Sequence, residues 1–204
     1  MSRNYQREMD GLIAENQCRN KVPTVLLHAC CAPCSSYVLE YLSEYFIIKV
    51  LYYNPNISPE SEYEYRLQEE QRLIDTLNTK NKVELIKGNY NPNVFFDAVK
   101  GYEKEPERGK RCEICFNLRL EEAARYCKEI NADYFATTLT ISPLKNAEII
   151  NTIGENIGKK YGVNYLPSDF KKKNGYKRSI ELSQEYNLYR QNFCGCIFSK
   201  GKEQ

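Results

Sequence analysis

The sequence has no tryptophan, two methionines and one histidine, His28. A single imidazole excludes a histidine-rich zinc or non-haem iron site, so any metal centre has to draw on other ligands. Long apolar runs are missing too: stretches such as residues 22–27 and 45–48 fall far short of the ~20 residues that a membrane-spanning helix needs. Residues 1–20 mix Arg, Glu, Asp and Asn with few apolar side chains and lack the apolar segment of a secretory signal. These absences predict a cytoplasmic chain with no membrane partner. Charge of one sign is scarce overall, with 29 basic against 27 acidic residues and a net charge of +2.

What the sequence does have is nine cysteines in 204 residues. A reducing compartment disfavours a disulfide framework, and an odd number cannot pair completely within one chain. Metal ligation or redox chemistry remains, and soft thiolates select iron–sulfur clusters or zinc. The small net charge is also unevenly spread: residues 158–204 carry ten basic and four acidic residues. That excess marks the C-terminal quarter as the contact for a polyanion.

The length predicts a single α/β domain spanning residues 1–204, burying about 70% of the surface of its unfolded chain. A polar segment, 1–20, precedes it, and a basic, aromatic segment, 168–204, closes it. Residues 24–27 form a short, fully apolar run ending at His28 and read as a buried parallel strand. Ser35 and Ser36 are placed to cap a helix carrying Val38, Leu39 and Leu42. Further strands are read at 46–53, 83–87 and 133–140. Helices are read at 60–77, from Phe116 through Cys127, and from Pro143 through Ile157, while residues 88–111 read as loop with one short helix. Strands alternating with helices predict an open parallel sheet with helices on both faces.

The first strand leads into His28-Ala29-Cys30-Cys31-Ala32-Pro33-Cys34. Ligands of parallel α/β sheets bind beyond the carboxyl ends of the strands, and a following helix N-terminus stabilises thiolates. A second cluster, Cys112-Glu113-Ile114-Cys115, opens a helix, where three-residue spacing sets both sulfurs on one face. Spacing alone leaves Cys30, Cys31, Cys112 and Cys115 equally suited to zinc and to a [4Fe-4S] cluster, although the surplus of thiols favours redox chemistry. A third cluster is Cys194-Gly195-Cys196. Cys127 belongs to an apolar helix face and reads as core, Cys18 receives no role, and His28 reads as a hydrogen-bonded structural residue. Lys171, Lys172, Lys173, Lys177 and Arg178 interleave with Phe170 and Tyr176, a pattern suited to phosphates and bases.

Five segments in order, HACCAPC, RCEICFNLRLEEAA, TTLTISPLKN, SDFKKKNGYKRSIELS and YRQNFCGCIFS, resemble the cobalamin-independent epoxyqueuosine reductases over residues 24–199. The resemblance implies an adenine-nucleotide α-hydrolase-like fold with a cysteine-containing C-terminal extension. It also implies a [4Fe-4S] cluster with an additional iron beside it, and reduction of epoxyqueuosine to queuosine in the tRNA anticodon loop with electrons from an unidentified donor. Carried over, Cys30, Cys31, Cys112 and Cys115 match cluster ligands, Cys34 a ligand of the additional iron, and Cys194 and Cys196 a redox-active pair. A C-x-C spacing equally allows those two to ligate the second metal. The rivals are an ATP-dependent tRNA thiolase of similar fold and a non-catalytic, zinc-stabilised RNA-binding protein. A thiolase cradles pyrophosphate with a glycine-rich loop after its first strand, whereas residues 28–36 contain no glycine.

Overall fold

The computed structural model describes residues 3–199; residues 1–2 and 200–204, at the tips of the polar N-terminal and basic C-terminal segments, lie outside the described residues. Strands β1 (Thr24–His28), β2 (Ile47–Tyr52), β3 (Val83–Lys87) and β4 (Tyr134–Thr137) form a parallel sheet in the order β3-β2-β1-β4. Thr24 faces Ile47 and Val25 faces Tyr134, and a parallel bridge from Phe135 to Tyr165 extends the β4 edge. The helices are α1 (Tyr5–Cys18), α2 (Ala32–Leu42), α3 (Glu60–Thr76), α4 (Pro92–Ala98), α5 (Lys110–Glu129), α6 (Ala147–Tyr161) and α7 (Gly175–Glu185).

Successive strand side chains point to opposite faces. Val25, Leu27, Ile48 and Val50 therefore pack with Met9 of α1, Leu39 of α2 and Leu73 of α3. Leu26, Leu51 and Phe135 point the other way, onto Leu120 and Ala124 of α5 and Ile150 of α6. Helices cover both faces, which is why the inner strand β1 is a continuous apolar run up to His28, whereas β2 admits Lys49 and the edge strand β3 carries Glu84 and Lys87 and is only half-buried. The chain leaves β1 for β2 on one side, and β4 lies on the other, so a crevice opens between the carboxyl ends of β1 and β4 at the switch of strand order.

Several boundaries differ from those read in the sequence. The polar start forms α1, which buries Met9 and Ile13 and is capped by the Asn4 side chain accepting from the Arg7 amide at 3.1 Å. Ser35 and Ser36 lie inside α2, not at its cap. Their hydroxyls donate back to the carbonyls of Cys31 (3.2 Å) and Pro33 (3.1 Å), and Cys31 holds the N-cap position. The Thr-rich strand stops at Thr137, whose hydroxyl accepts from the Leu139 amide at 3.2 Å and turns Thr138–Ile141 into a 3-10 helix. Pro143 precedes α6, which starts beyond Asn146, its capping residue. α5 begins at Lys110, so the C-x-x-C pair spans its first two turns, Cys112 in the first and Cys115 in the second. The basic tail contains α7, which packs on α2.

Candidate functional site

Beyond β1 the backbone is pinned before it turns: the Ala29 amide donates to Leu51 O at 3.0 Å, and Asn54 Nδ2 donates to Ala29 O at 2.8 Å. The chain then enters α2, whose first turn swings Cys34 back toward Cys31. As a result the sulfurs of Cys30, Cys31 and Cys34 all lie within 4.8 Å of one another, with Cys30 and Cys31 Sγ 3.8 Å apart. Three crowded thiols do not ionise together. Hydrogen bonds from Cys31 and Cys34 hold the Cys30 thiol well below its ordinary value, while the bond to Cys30 pushes Cys31 up to about 12 and raises Cys34 well above the ordinary thiol range. These three soft donors can hold a metal ion, which would displace their remaining protons.

The second group adjoins the first. A cavity of about 400 Å³ is lined by Cys112, Cys115, Cys194 and Cys196, with Phe95 and Phe116 supplying apolar wall. A neighbouring cavity of about 270 Å³ is lined by Cys30, Cys31 and Cys34, and Cys194, Arg119 and Lys145 border both. The structure thus gathers Cys30 and Cys31 with Cys34, and sets Cys112 and Cys115 with the C-x-C pair around the next cavity. Burial pushes the Cys115 thiol up to about 12. Cys112 Sγ accepts from the Arg108 amide at 3.3 Å. Cys127 is buried in the core beneath α5, and Cys18 is exposed.

The C-x-C segment is carried by α3 and the loop before it. Gly195 has φ +101°, a conformation open to glycine, and its carbonyl accepts from the Ser58 amide at 3.0 Å. Arg66 Nη1 donates to Cys194 O at 3.3 Å, while its Nε pairs with Glu62 at 2.7 Å. The Arg66 guanidinium also lies 5.1 Å from the centre of the Phe193 ring.

His28 is fully buried, with its ring nitrogens 3.0 Å from Thr137 Oγ1 and 3.1 Å from Tyr53 O. Burial pushes its pKa down to about 3, so it is neutral and structural. Phe170 is fully buried and offers no face to a base, whereas Tyr176 is exposed and lines the smaller cavity. Of the basic cluster, Lys171 pairs with Asp169 at 2.9 Å, Lys173 with Asp10 at 2.8 Å and Arg178 with Glu40 at 2.6 Å. Lys172 and Lys177 are exposed and have no ion-pair partner among the described residues.

Sequence reasoning missed four charged residues at the site: Arg66, Glu70, Arg119 and Lys145. Each of the first three is i+4 to a residue on its own helix face, so helical spacing placed them inward, but charge argued for the surface. Glu70 is fully buried with both carboxylate oxygens lacking a hydrogen-bond partner, and burial pushes its pKa up to about 8. An acid whose folded pKa is raised stabilises the fold fully below its unfolded value, ordinarily 4.5, and loses that contribution as pH rises through about 8. Unfolding measured across that window is therefore expected to show stability falling with pH in the wild type relative to Glu70→Gln. Parallel pH profiles for the two proteins would refute this.

The parallel sheet and its switch-point crevice define a class. NMN synthetase from Francisella tularensis shares the fold, with a TM-score of 0.52 over 97% of this chain and 76% of that one at 12% identity. This is the adenine-nucleotide α-hydrolase-like architecture, here with seven thiols around the crevice. Residues 25–202 match the family described as epoxyqueuosine reductase QueH. Proteins of that name from Streptococcus pyogenes serotype M1 (44% identity, 96% of this chain and 78% of the relative) and Staphylococcus epidermidis (43%, 98% and 86%) align with it. One from Thermotoga maritima is 37% identical over 86% of this chain and 90% of its own length. The chain belongs to the epoxyqueuosine reductase QueH family. No helix among the described residues is long and apolar enough to cross a membrane.

Proposed function

We propose that the chain, acting as one cytoplasmic α/β unit, reduces epoxyqueuosine to queuosine in the anticodon loop of tRNA. The observation that carries this reading is the ring of seven thiols around two adjoining cavities at the switch point, in a member of this family. Converting the epoxide to an alkene takes two electrons and two protons and releases the oxygen as water. The donor set fits the chemistry, because it is all soft sulfur and Cys30, Cys31 and Cys34 already converge.

Cys30, Cys31, Cys112 and Cys115 would hold a [4Fe-4S] cluster, and Cys34 would ligate an additional iron. When bound, these centres supply single electrons and a Lewis acid for the leaving oxygen. Cys194 and Cys196 pass electrons from a separate donor: Cys194 borders both cavities, and the small ring of a C-x-C disulfide is easily reduced. Apolar wall from Phe95 and Phe116 excludes water on one side, and Lys145 presents an ammonium between the thiol groups. Burial disfavours that charge, but the neighbouring sulfurs of Cys194 and Cys30 outweigh it and raise its pKa.

The basic segment meets the tRNA phosphates. Lys172 and Lys177 are free for them, while Lys171, Lys173 and Arg178 would exchange carboxylate partners for phosphate. The test is anaerobic turnover of tRNA bearing epoxyqueuosine with a strong chemical reductant, together with iron, zinc and acid-labile sulfide analysis. Queuosine formation by protein carrying iron and sulfide is expected; zinc alone without turnover would leave an RNA-binding module. In the same preparation, Lys172→Ala with Lys177→Ala is expected to weaken tRNA binding and make log affinity fall less steeply with log salt, by about 0.9 per lost phosphate contact. An unchanged slope would place the tRNA elsewhere.

A further inference from the structure

Arg119 stands out among the buried cations. It lies on α5 one turn beyond Cys115 and is 1% exposed. Its Nε donates to the Cys115 carbonyl at 3.1 Å, and its guanidinium carbon sits 5.7 Å from the centre of the Phe116 ring. Nη2 is buried with no hydrogen-bond partner, and no carboxylate pairs with the group among the described residues. Arg66 Nη2 is likewise without a partner, so it is the missing counter-charge that sets Arg119 apart from Arg66, which has Glu62. The third buried arginine, Arg111, donates to the carbonyls of Tyr102, Glu103 and Glu105.

A guanidinium does not give up its proton in a protein, and an uncompensated buried charge costs several kcal/mol. The charge of Arg119 therefore has to be met by something other than a carboxylate. Sulfurs dominate its electrostatic surroundings: it borders both cavities, where Cys115, Cys194, Cys30 and Cys112 favour its charge, while Glu107, on the rim of both cavities, is exposed and makes no ion pair with it. Lys145 borders the same two cavities. The fold thus places a fixed cation, and a second mobile one, in the wall between the two thiol groups.

We propose that Arg119, assisted by Lys145, is a positioning charge that favours the reduced state of a thiolate-bound iron–sulfur centre in this crevice. The inference rests on the reading of the site given above. A [4Fe-4S] cluster in its oxidised 2+ state with four thiolates carries a net charge of −2. It gains one electron from a low-potential donor, which is oxidised by one electron, and the unit becomes −3. A cation held at fixed distance in a low-dielectric wall stabilises the more negative state, and net charge is one of the determinants of cluster potential. Because the guanidinium does not titrate, its contribution is constant across neutral pH. Two such electrons, with two protons, complete the deoxygenation of one epoxide.

The experiment compares wild type, Arg119→Met, Arg119→Lys and Lys145→Met, reconstituted without oxygen. Iron and sulfide are counted, and the cluster is titrated with dithionite while its paramagnetic reduced form is followed. Arg119→Met is expected to keep its iron and sulfide yet be at least tenfold harder to reduce, a 59 mV fall in midpoint for a one-electron couple. Arg119→Lys, which keeps the charge, is expected to recover most of that shift, a rescue that a purely structural role would not produce. Lys145→Met, at a half-buried position that tolerates the change, is expected to shift the midpoint in the same direction by less, and decides the matter if Arg119→Met does not fold. Full clusters with unchanged midpoints in the methionine variants that fold would overturn the proposal while leaving the proposed function intact. A wild type that holds zinc and no sulfide would overturn both.

Discussion

Serine at Cys112 or at Cys115 is expected to strip the oxygen-free protein of most of its iron and sulfide and of its brown colour, from about four irons per chain at minimum. Both thiols sit in the first two turns of α5, and serine is close in size to cysteine, so neither replacement is expected to disturb the helix or the sheet, although Cys115 is the more buried of the two. Cys115 matters most for the comparison, because burial holds its free thiol protonated to about pH 12 and only a bound metal would deprotonate it near neutrality. Cys34→Ser is the contrasting variant. It is expected to keep the cluster iron and lose only the additional ion. Bleaching by Cys34→Ser with full iron in Cys112→Ser and Cys115→Ser would assign the cluster to the Cys30, Cys31 and Cys34 group, which the structure already brings together.

Gly195→Ala should separate the electron path from the substrate site. A side chain at φ +101° costs about 1–3 kcal/mol in backbone strain, and a Cβ there would stand 2.8 Å from Ile57 Cγ1 and 3.1 Å from Arg66 Nη1. Ile57 is buried and Arg66 is tied to Glu62, so the C-x-C segment has to move. With cluster ligands elsewhere, iron content is expected to hold. Turnover driven by a protein donor is expected to fall at least tenfold, and turnover driven by excess chemical reductant much less. An equal loss with both, accompanied by loss of one iron, would make Cys194 and Cys196 ligands of the second metal.

The sheet was legible from residues 24–27 and most of 46–53 because a strand covered on both faces is largely apolar; 83–87, at the sheet edge, keeps Glu84 and Lys87 and was legible from Val83, Leu85 and Ile86. The thiol clusters were legible for a different reason: their spacing belongs to the start of a helix, and the structure puts Cys31 at the cap and Cys34 in the first turn of α2, and Cys112 and Cys115 in the first two turns of α5. α1 and α7 were not, since the apolar side chains that anchor them amid polar neighbours are few, Tyr5, Met9 and Ile13 in α1 and Leu182 in α7. The meeting of Cys34 with Cys30 and Cys31 depends on α2 starting at Ala32, which the two serines obscured by imitating a cap further on. Arg119, Glu70 and Arg66 were hidden because composition puts charge on the surface, and Arg119 and Arg66 are enclosed by segments distant in sequence, residues 139–145 and the C-terminal strip 186–196.

The last of those segments, residues 186–196, lies along α3 by contacts that owe nothing to sulfur. Arg72 reaches the carbonyls of Tyr186 at 3.1 Å and Asn187 at 3.2 Å, Glu69 accepts from the Tyr189 amide at 3.1 Å, and the Tyr65 and Tyr189 rings meet at 4.7 Å. A surface strip held by so few contacts is of the kind that opens locally at a free energy below that of global unfolding. Such an opening would carry Cys194 and Cys196 away from the cavities, so tightening the latch on α3 is expected to slow the loss of iron and sulfide in air without a single change among the cysteines, which iron and sulfide counts over time in air would check.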